Sequence, residues 1–146
     1  MTMIEDQFSG KYTYEIKNWF SCKKGFTHFA TNDVAFAKIS PCFENRKSVL
    51  FNNLENDFGA GTTELYVLRN YTNDILGKYL LYFIKSEYFI SRGTSTFSGV
   101  VGQQRVDKEI ILNTYIPIPT LNVQQCIIDR IEKIMNHLEN IESNLN

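Results

Sequence analysis

VGQQRVDKEIILNTYIPIPTLNVQQCIIDRI, residues Val101–Ile131, sets a glycine, two glutamines and an arginine ahead of a proline-locked strap that feeds an isoleucine-rich helix. Pro117 and Pro119 fix their own φ and push the residues before them out of the helical region, so YIPIPT reads as extended chain. Asn122 with Gln125 resembles a capping box opening the next helix. Ile127, Ile131, Ile134, Leu138, Ile141 and Leu145 then recur at spacings of 4-3-4-3-4, the seam of a coiled coil, and Ile128 and Met135 widen the stripe. The stretch therefore reads as a polar edge tied mechanically to an oligomerisation element. Nothing in it looks like a catalytic motif.

Upstream, the chain through Lys24 mixes aromatics and lysines without a clear period. Asp33–Ile39, DVAFAKI, reads as a strand that Pro41 ends, and Ser48–Phe51, SVLF, reads as a second. Asn52 through Asp57 supplies turn residues, and Gly59–Arg69, GAGTTELYVLR, reads as a glycine hinge entering a third strand. Short polar turns between strands predict a mainly antiparallel sheet. The period then changes: Asn73-Asp74 offers an N-cap for ILGKYLLYFIKS, apolar nearly all round and so largely buried. Ser86 can cap a second short helix, EYFISR, that Gly93 would close. Gly93–Arg105 reads as a polar, glycine-rich loop. The fold class expected is α/β (α+β): a small, mixed, mainly antiparallel sheet with packed helices and a long C-terminal coiled-coil helix.

At 146 residues, with 43% hydrophobic and 21% charged, the chain has enough apolar content for one folded core plus one protruding element. No apolar run reaches membrane-spanning length, and MTMIEDQFSG carries acid before base and no apolar block, so a signal peptide is not expected and a cytoplasmic location is. Three cysteines, Cys22, Cys42 and Cys126, lie far apart without a C-x-x-C pair, and neither His28 nor His137 adds a metal-ligand spacing. Reduced thiols, no bound metal and no cofactor are expected. The net charge of −1 gives no support to nucleic-acid binding. It is unevenly placed, however: residues 1–110 carry 13 Lys and Arg against 12 Asp and Glu, whereas residues 111–146 carry 2 against 4.

Three motifs carry candidate chemistry. AKISPCFENRK, Ala37–Lys47, sets Lys38, Asn45, Arg46 and Lys47 around a turn; lysine and arginine suit phosphate, and asparagine can pair with adenine. As a bland alternative it is a solvated loop. GAGTTE lacks the third glycine of a phosphate cradle and leads into a strand, which excludes a P-loop. It reads instead as a close backbone approach with the Thr62 and Thr63 hydroxyls available. GVVGQQR offers Gln103, Gln104 and Arg105, the amide and guanidinium chemistry of major-groove readout, or else a polar surface turn. An enzyme acting alone would need Cys42 as nucleophile with His28 as base, and no hydrolase, zinc-protease or methyltransferase signature is present.

Taken in order, NDVAFAKISPCFENRK, GAGTTELYVLRN, KYLLYFIKSEYF and GVVGQQRVDKEIILNTYIPIPTLNVQQCIIDRI resemble the target-recognition domain of type I restriction–modification specificity (S) subunits, from about Phe26 onward. The resemblance implies a non-catalytic module that reads one half of a split site in double-stranded DNA over residues 1–119. It implies a spacer and dimerisation helix over 120–146, with the six seam residues from Ile127 to Leu145 forming its contact. That helix would dock methyltransferase subunits, with restriction subunits in the same complex, and pair with another S half or a second copy. It further implies a half-subunit, because one recognition domain stands where a full S subunit has two, and one shortened at its front, because the strands and glycine-rich loop expected ahead of Phe26 are not found. Arg46 stands where the family pattern leads one to expect glycine. The alternative is an interaction or remnant protein that keeps the helix but does not read DNA.

Overall fold

The computed structural model describes residues 3–145. Its centre is a three-stranded antiparallel sheet in the order β3-β2-β5, built from β2 (Val34–Ala37), β3 (Ser48–Leu50) and β5 (Leu65–Leu68). All four residues of β2 are buried, because the strand has neighbours on both edges and packed layers on both faces. Val34 faces Leu50 on one side and Leu68 on the other. The strands expected from DVAFAKI, SVLF and ELYVL are therefore present, each shorter than the apolar run that announced it.

A second, two-stranded sheet joins β1 (Thr27–Ala30) to β4 (Phe58–Gly61) in antiparallel register. Neither strand is marked by alternation in the sequence. The segment read as a glycine hinge is itself β4, and its glycines have a packing cause: a Cβ on Gly59 would fall 2.2 Å from the Phe29 ring across the ladder. Phe29 in turn stacks on Phe51, centroids 3.7 Å apart, within a core that includes Ile4, Val49, Leu54 and Leu65. Ile4 is buried and bridges to Tyr12, so the opening segment is part of the fold despite its lack of period.

Helices cover the other face. After the short α1 (Trp19–Cys22), α2 (Gly77–Lys85) and α3 (Glu87–Thr94) set Leu81, Ile84, Phe89 and Ile90 against Val34, Phe36 and Phe43. Two expected caps differ. The residue ahead of α2 is Leu76, with no side-chain cap, while Asn73 adopts a left-handed φ of 59°. Ser86 does cap α3, accepting from the Phe89 N–H at 3.3 Å. Gly93 does not close that helix but lies within it, buried, where a Cβ would meet the Phe43 ring at 2.2 Å. A short α4 (Lys108–Leu112) follows, capped by Asp107, and was not expected.

The last helix, α5, runs from Leu121 to Leu145. It begins before Asn122, so the capping box is not formed; Gln125 instead donates to Asp129 at 2.7 Å one turn on. The protruding element expected beside the core is only the far part of this helix; its first turns are docked on the body. Ile128 is 2% exposed and Gln124 fully buried. The Gln124 amide donates to the carbonyls of Asp74 and Pro119 and accepts from the Leu76 N–H, all at 2.8 Å. Glu132 pairs with Lys78 of α2 at 2.5 Å. Burying a residue such as Ile128 contributes about 1.5–3 kcal/mol, so these early turns are anchored. Further along, Ile134, Leu138, Ile141 and Leu145 are 59%, 50%, 55% and 80% exposed. Among the described residues no helix is long and apolar enough to cross a membrane.

Candidate nucleic-acid interface

Just past the end of β2, the backbone continues as a rail. The Lys38 N–H donates to the Glu64 carbonyl at 2.9 Å, and the Lys38 carbonyl accepts from the Val106 N–H at 2.9 Å. The Ser40 N–H reaches the Gln104 carbonyl at 2.9 Å, and Ile39 bridges to Arg105. Arg105 is paired on its other side as well, exchanging both backbone hydrogen bonds with Ser98. The glycine-rich loop is thus an anchored excursion from Ser98 to Arg105, with its backbone groups satisfied at the base. Between them the Gln103 N–H donates to the Val100 carbonyl at 2.9 Å, closing a tight turn whose third residue, Gly102, has φ of +84°. That geometry needs glycine. Gly99, at φ +112°, makes the entry bend.

This rail brings Lys38, Thr62, Gln103, Gln104 and Arg105 to one rim. The Arg105 guanidinium donates to Glu64 from Nη2 at 2.8 Å and from Nε at 3.0 Å, and also reaches the Gln103 carbonyl at 3.1 Å. The hydrogen bond from Arg105 holds the Glu64 carboxyl below the usual glutamate range, with Lys38 adding to the effect. Lys38 Nζ lies 5.1 Å above the Tyr66 ring, a cation–π contact that positions the amine. Burial pushes the Tyr66 phenol up, and its hydroxyl lies 3.4 Å from the Val106 carbonyl. Thr62 Oγ1 accepts from the Glu64 N–H at 3.2 Å; Thr63 beside it is exposed. Two cations, one carboxylate, two amides and two hydroxyls make a hydrogen-bonding surface. It holds no histidine and no thiol, and the alternative pairing of Cys42 with His28 is not made: His28 Nε2 lies 2.9 Å from the Cys22 carbonyl, with its ring against Trp19 and Phe58.

Asn45, Arg46 and Lys47 are not joined to this cluster. The Asn45 carbonyl accepts from the Gln7 N–H at 2.8 Å. Arg46, at φ +56°, donates to the Lys85 carbonyl at 2.9 Å and to Glu87 at 2.6 Å, with its guanidinium over the Phe8 ring. Lys47 Nζ pairs with Asp6 at 2.7 Å and reaches the Ile4 carbonyl at 3.2 Å. Lys85, fully buried, donates to the carbonyls of Gln7 and Arg46 at 2.7 and 2.9 Å. These cations fasten the opening segment to the body. Arg46 tolerates the position expected to carry glycine because its guanidinium is held from two sides while its backbone adopts the left-handed conformation.

Sequence reasoning missed Glu64, whose role depends on Arg105, 41 residues away. It also passed over Val100 and Val101, although a pair of valines between two glycines is the signal of an apolar turn tip. Of the six seam residues, Ile127 and Ile131 are half-buried, and the remaining four form the exposed stripe.

Residues 5–146 match the family model described as the type I restriction modification DNA specificity domain. Over 142 residues the chain is 44% identical to the type I restriction enzyme EcoAI specificity subunit of Escherichia coli, covering 97% of this chain and 24% of that protein. It is 42% identical to the EcoEI specificity subunit of the same organism, with the same coverage. The chain thus spans about a quarter of the length of these curated relatives. Among solved structures, the HsdS subunit from Thermoanaerobacter tengcongensis superposes with a TM-score of 0.76 at 17% identity, over 96% of this chain and 35% of that one. A chain from a study of complex assembly and conformational transition in the type I R-M system gives a TM-score of 0.59 at 17% identity, over 81% of this chain and 26% of that one. These likenesses show the fold. With the family model covering nearly the whole chain, the protein belongs to the type I restriction–modification DNA specificity domain family.

Proposed function

We propose that residues 1–119 read one half of a bipartite DNA site and that the helix of residues 120–146 is the spacer that docks methyltransferase subunits. The observation that carries this reading is the rim at the end of β2. There Lys38, Thr62, Gln103, Gln104 and Arg105, drawn from three separate segments, are collected onto one anchored edge. Amide, guanidinium and ammonium groups side by side are what base-edge and phosphate contacts require. Methyl transfer and cleavage would belong to partner subunits of the complex, and this chain would supply the address. The exposed stripe from Ile134 to Leu145 supports pairing with a second such helix, either another S half or a second copy. Asn45, Arg46 and Lys47 serve the reading indirectly, by fastening the opening segment to the body.

The test is a gel shift of the full chain with its purified methyltransferase partner on defined duplexes. Selective binding that falls when Gln103 and Gln104 are changed to alanine supports the reading; an absence of selective binding, with or without partner, overturns it. A second reading, an interaction protein that no longer reads DNA, is favoured by one observation: Arg46, Lys47 and Arg105 each face a carboxylate of the chain itself. It predicts co-purification with the methyltransferase and no protection of any duplex.

A further inference from the structure

We infer that Val100 and Val101 are specificity-determining residues, which press their methyl groups against the 5-methyl group of thymine in the major groove. The inference rests on the recognition reading above. The two residues are 79% and 90% exposed and open the tight turn of the 98–105 excursion. The tip is held in place from both ends: Ser98 and Arg105 exchange backbone hydrogen bonds at its base, and the Val100 carbonyl accepts from the Gln103 N–H across the turn. Glycines of positive φ, Gly99 and Gly102, flank the valines and form the bends on either side of them. No core position is being filled.

The chemistry of the surroundings narrows the occupant to DNA. The valines share their turn with Gln103, Gln104 follows it, and Arg105 and Lys38 stand at the root of the excursion. In the major groove thymine presents a methyl group, and its adenine partner presents the acceptor and donor that a glutamine amide can match in pairs. A single turn carrying both chemistries therefore fits A·T base pairs from both strands. Valine also suits the task because its stiff χ1 leaves little side-chain freedom to lose on contact.

The experiment starts from a preferred duplex, selected from a randomised pool by the full chain with its methyltransferase partner. Single thymines are then replaced by uracil, which removes only the methyl group. The wild type should lose about three- to five-fold in affinity at one position or two adjacent ones, the worth of one buried methyl. The Val100→Ser, Val101→Ser variant should bind the thymine and uracil duplexes equally, with an unchanged thermal melt and unchanged preference elsewhere. Selective wild-type binding that ignores every thymine-to-uracil change overturns this inference and leaves the recognition reading standing. So does a variant that stays sensitive to the methyl group, or one that loses methyltransferase association instead. Failure of the wild type to select any site overturns both.

Discussion

Glu64 and Arg105 close a two-pronged ion pair, Nη2 to Oε1 at 2.8 Å and Nε to Oε2 at 3.0 Å, that joins the approach to β5 to the base of the 98–105 excursion. Both side chains are partly exposed, so the pair contributes modestly to stability and chiefly sets where the guanidinium points. Arg105→Ala should cost roughly 1–3 kcal/mol in binding and relax preference at one base pair, as for a lost bidentate contact. Glu64→Gln should relax preference at the same base pair, because the guanidinium loses the carboxylate that aims it, while the lost negative charge raises affinity for non-cognate duplexes. Binding of a panel of single-base variants at several salt concentrations separates these. Uniform weakening by Arg105→Ala would make that residue a phosphate contact.

Acid should loosen the fold through two carboxylates. Burial alone would push Asp33 up, but the hydrogen bonds from Arg69 and from the Ala30 N–H, with the Arg69 charge, hold it below its ordinary 3.8. Glu64 is held below its ordinary 4.5 by Arg105. A carboxyl depressed on folding contributes its stability above the unfolded value and loses it as pH falls through the folded one. Asp33→Asn should therefore destabilise the protein by about 1–3 kcal/mol at neutral pH and flatten its loss of stability below pH 3.8. Chemical denaturation at a series of acid pH values checks this. An unchanged acid profile would show that the Asp33–Arg69 pair is not coupled to folding.

Alkali should act in the opposite sense through Lys85. Burial, with the nearby Arg46 charge, lowers its ammonium from 10.5 to about 8, against a smaller opposing pull from Asp6. Between those values the unfolded chain binds the proton more tightly than the folded one, so stability rises with pH across that window. Lys85→Met should abolish the rise. It should also loosen the opening segment, since the Gln7 and Arg46 carbonyls lose their donor. Hydrogen exchange at the Gln7 and Ile4 amides, beside a denaturation series, reads both effects. A variant that keeps the alkaline rise would place its origin elsewhere.

The exposed end of α5 predicts assembly. Ile134, Leu138, Ile141 and Leu145 lie on one seam, and each such side chain is worth about 1.5–3 kcal/mol when buried, enough together to offset much of the entropy of association. The wild type should sediment as a dimer at micromolar concentration, or pair with another S half. Ile134→Asp with Leu138→Asp should give a folded monomer, because the docking of Ile128 and Gln124 on α2 is untouched. A wild-type monomer that pairs with no partner helix would contradict this.

The parts of the fold legible in the sequence are those with local cause. DVAFAKI, KYLLYFIKS and the stripe from Ile127 to Leu145 announce their elements by period alone. β1 and β4 were not legible, because four residues give too little period and the glycines of β4 answer to Phe29 across the ladder. The same limit governs the site. Gln103, Gln104 and Arg105 are adjacent in the chain, so their chemistry is visible together. Arg46 and Lys47 look identical to phosphate-binding residues until their partners appear, and Glu87 and Ile4 lie 41 and 43 residues away. Gln124 reads as a helix-surface residue, yet it closes the joint between the strap and α2.

Selection from a randomised duplex pool by the full chain, alone and with the methyltransferase subunit proposed as its partner, tests the recognition reading most directly. Enrichment of one short half-site, lost when Gln103, Gln104 and Arg105 are changed together to alanine without loss of the thermal melt or of partner association, is the predicted result. A stable complex with the partner that enriches no sequence at all would contradict it.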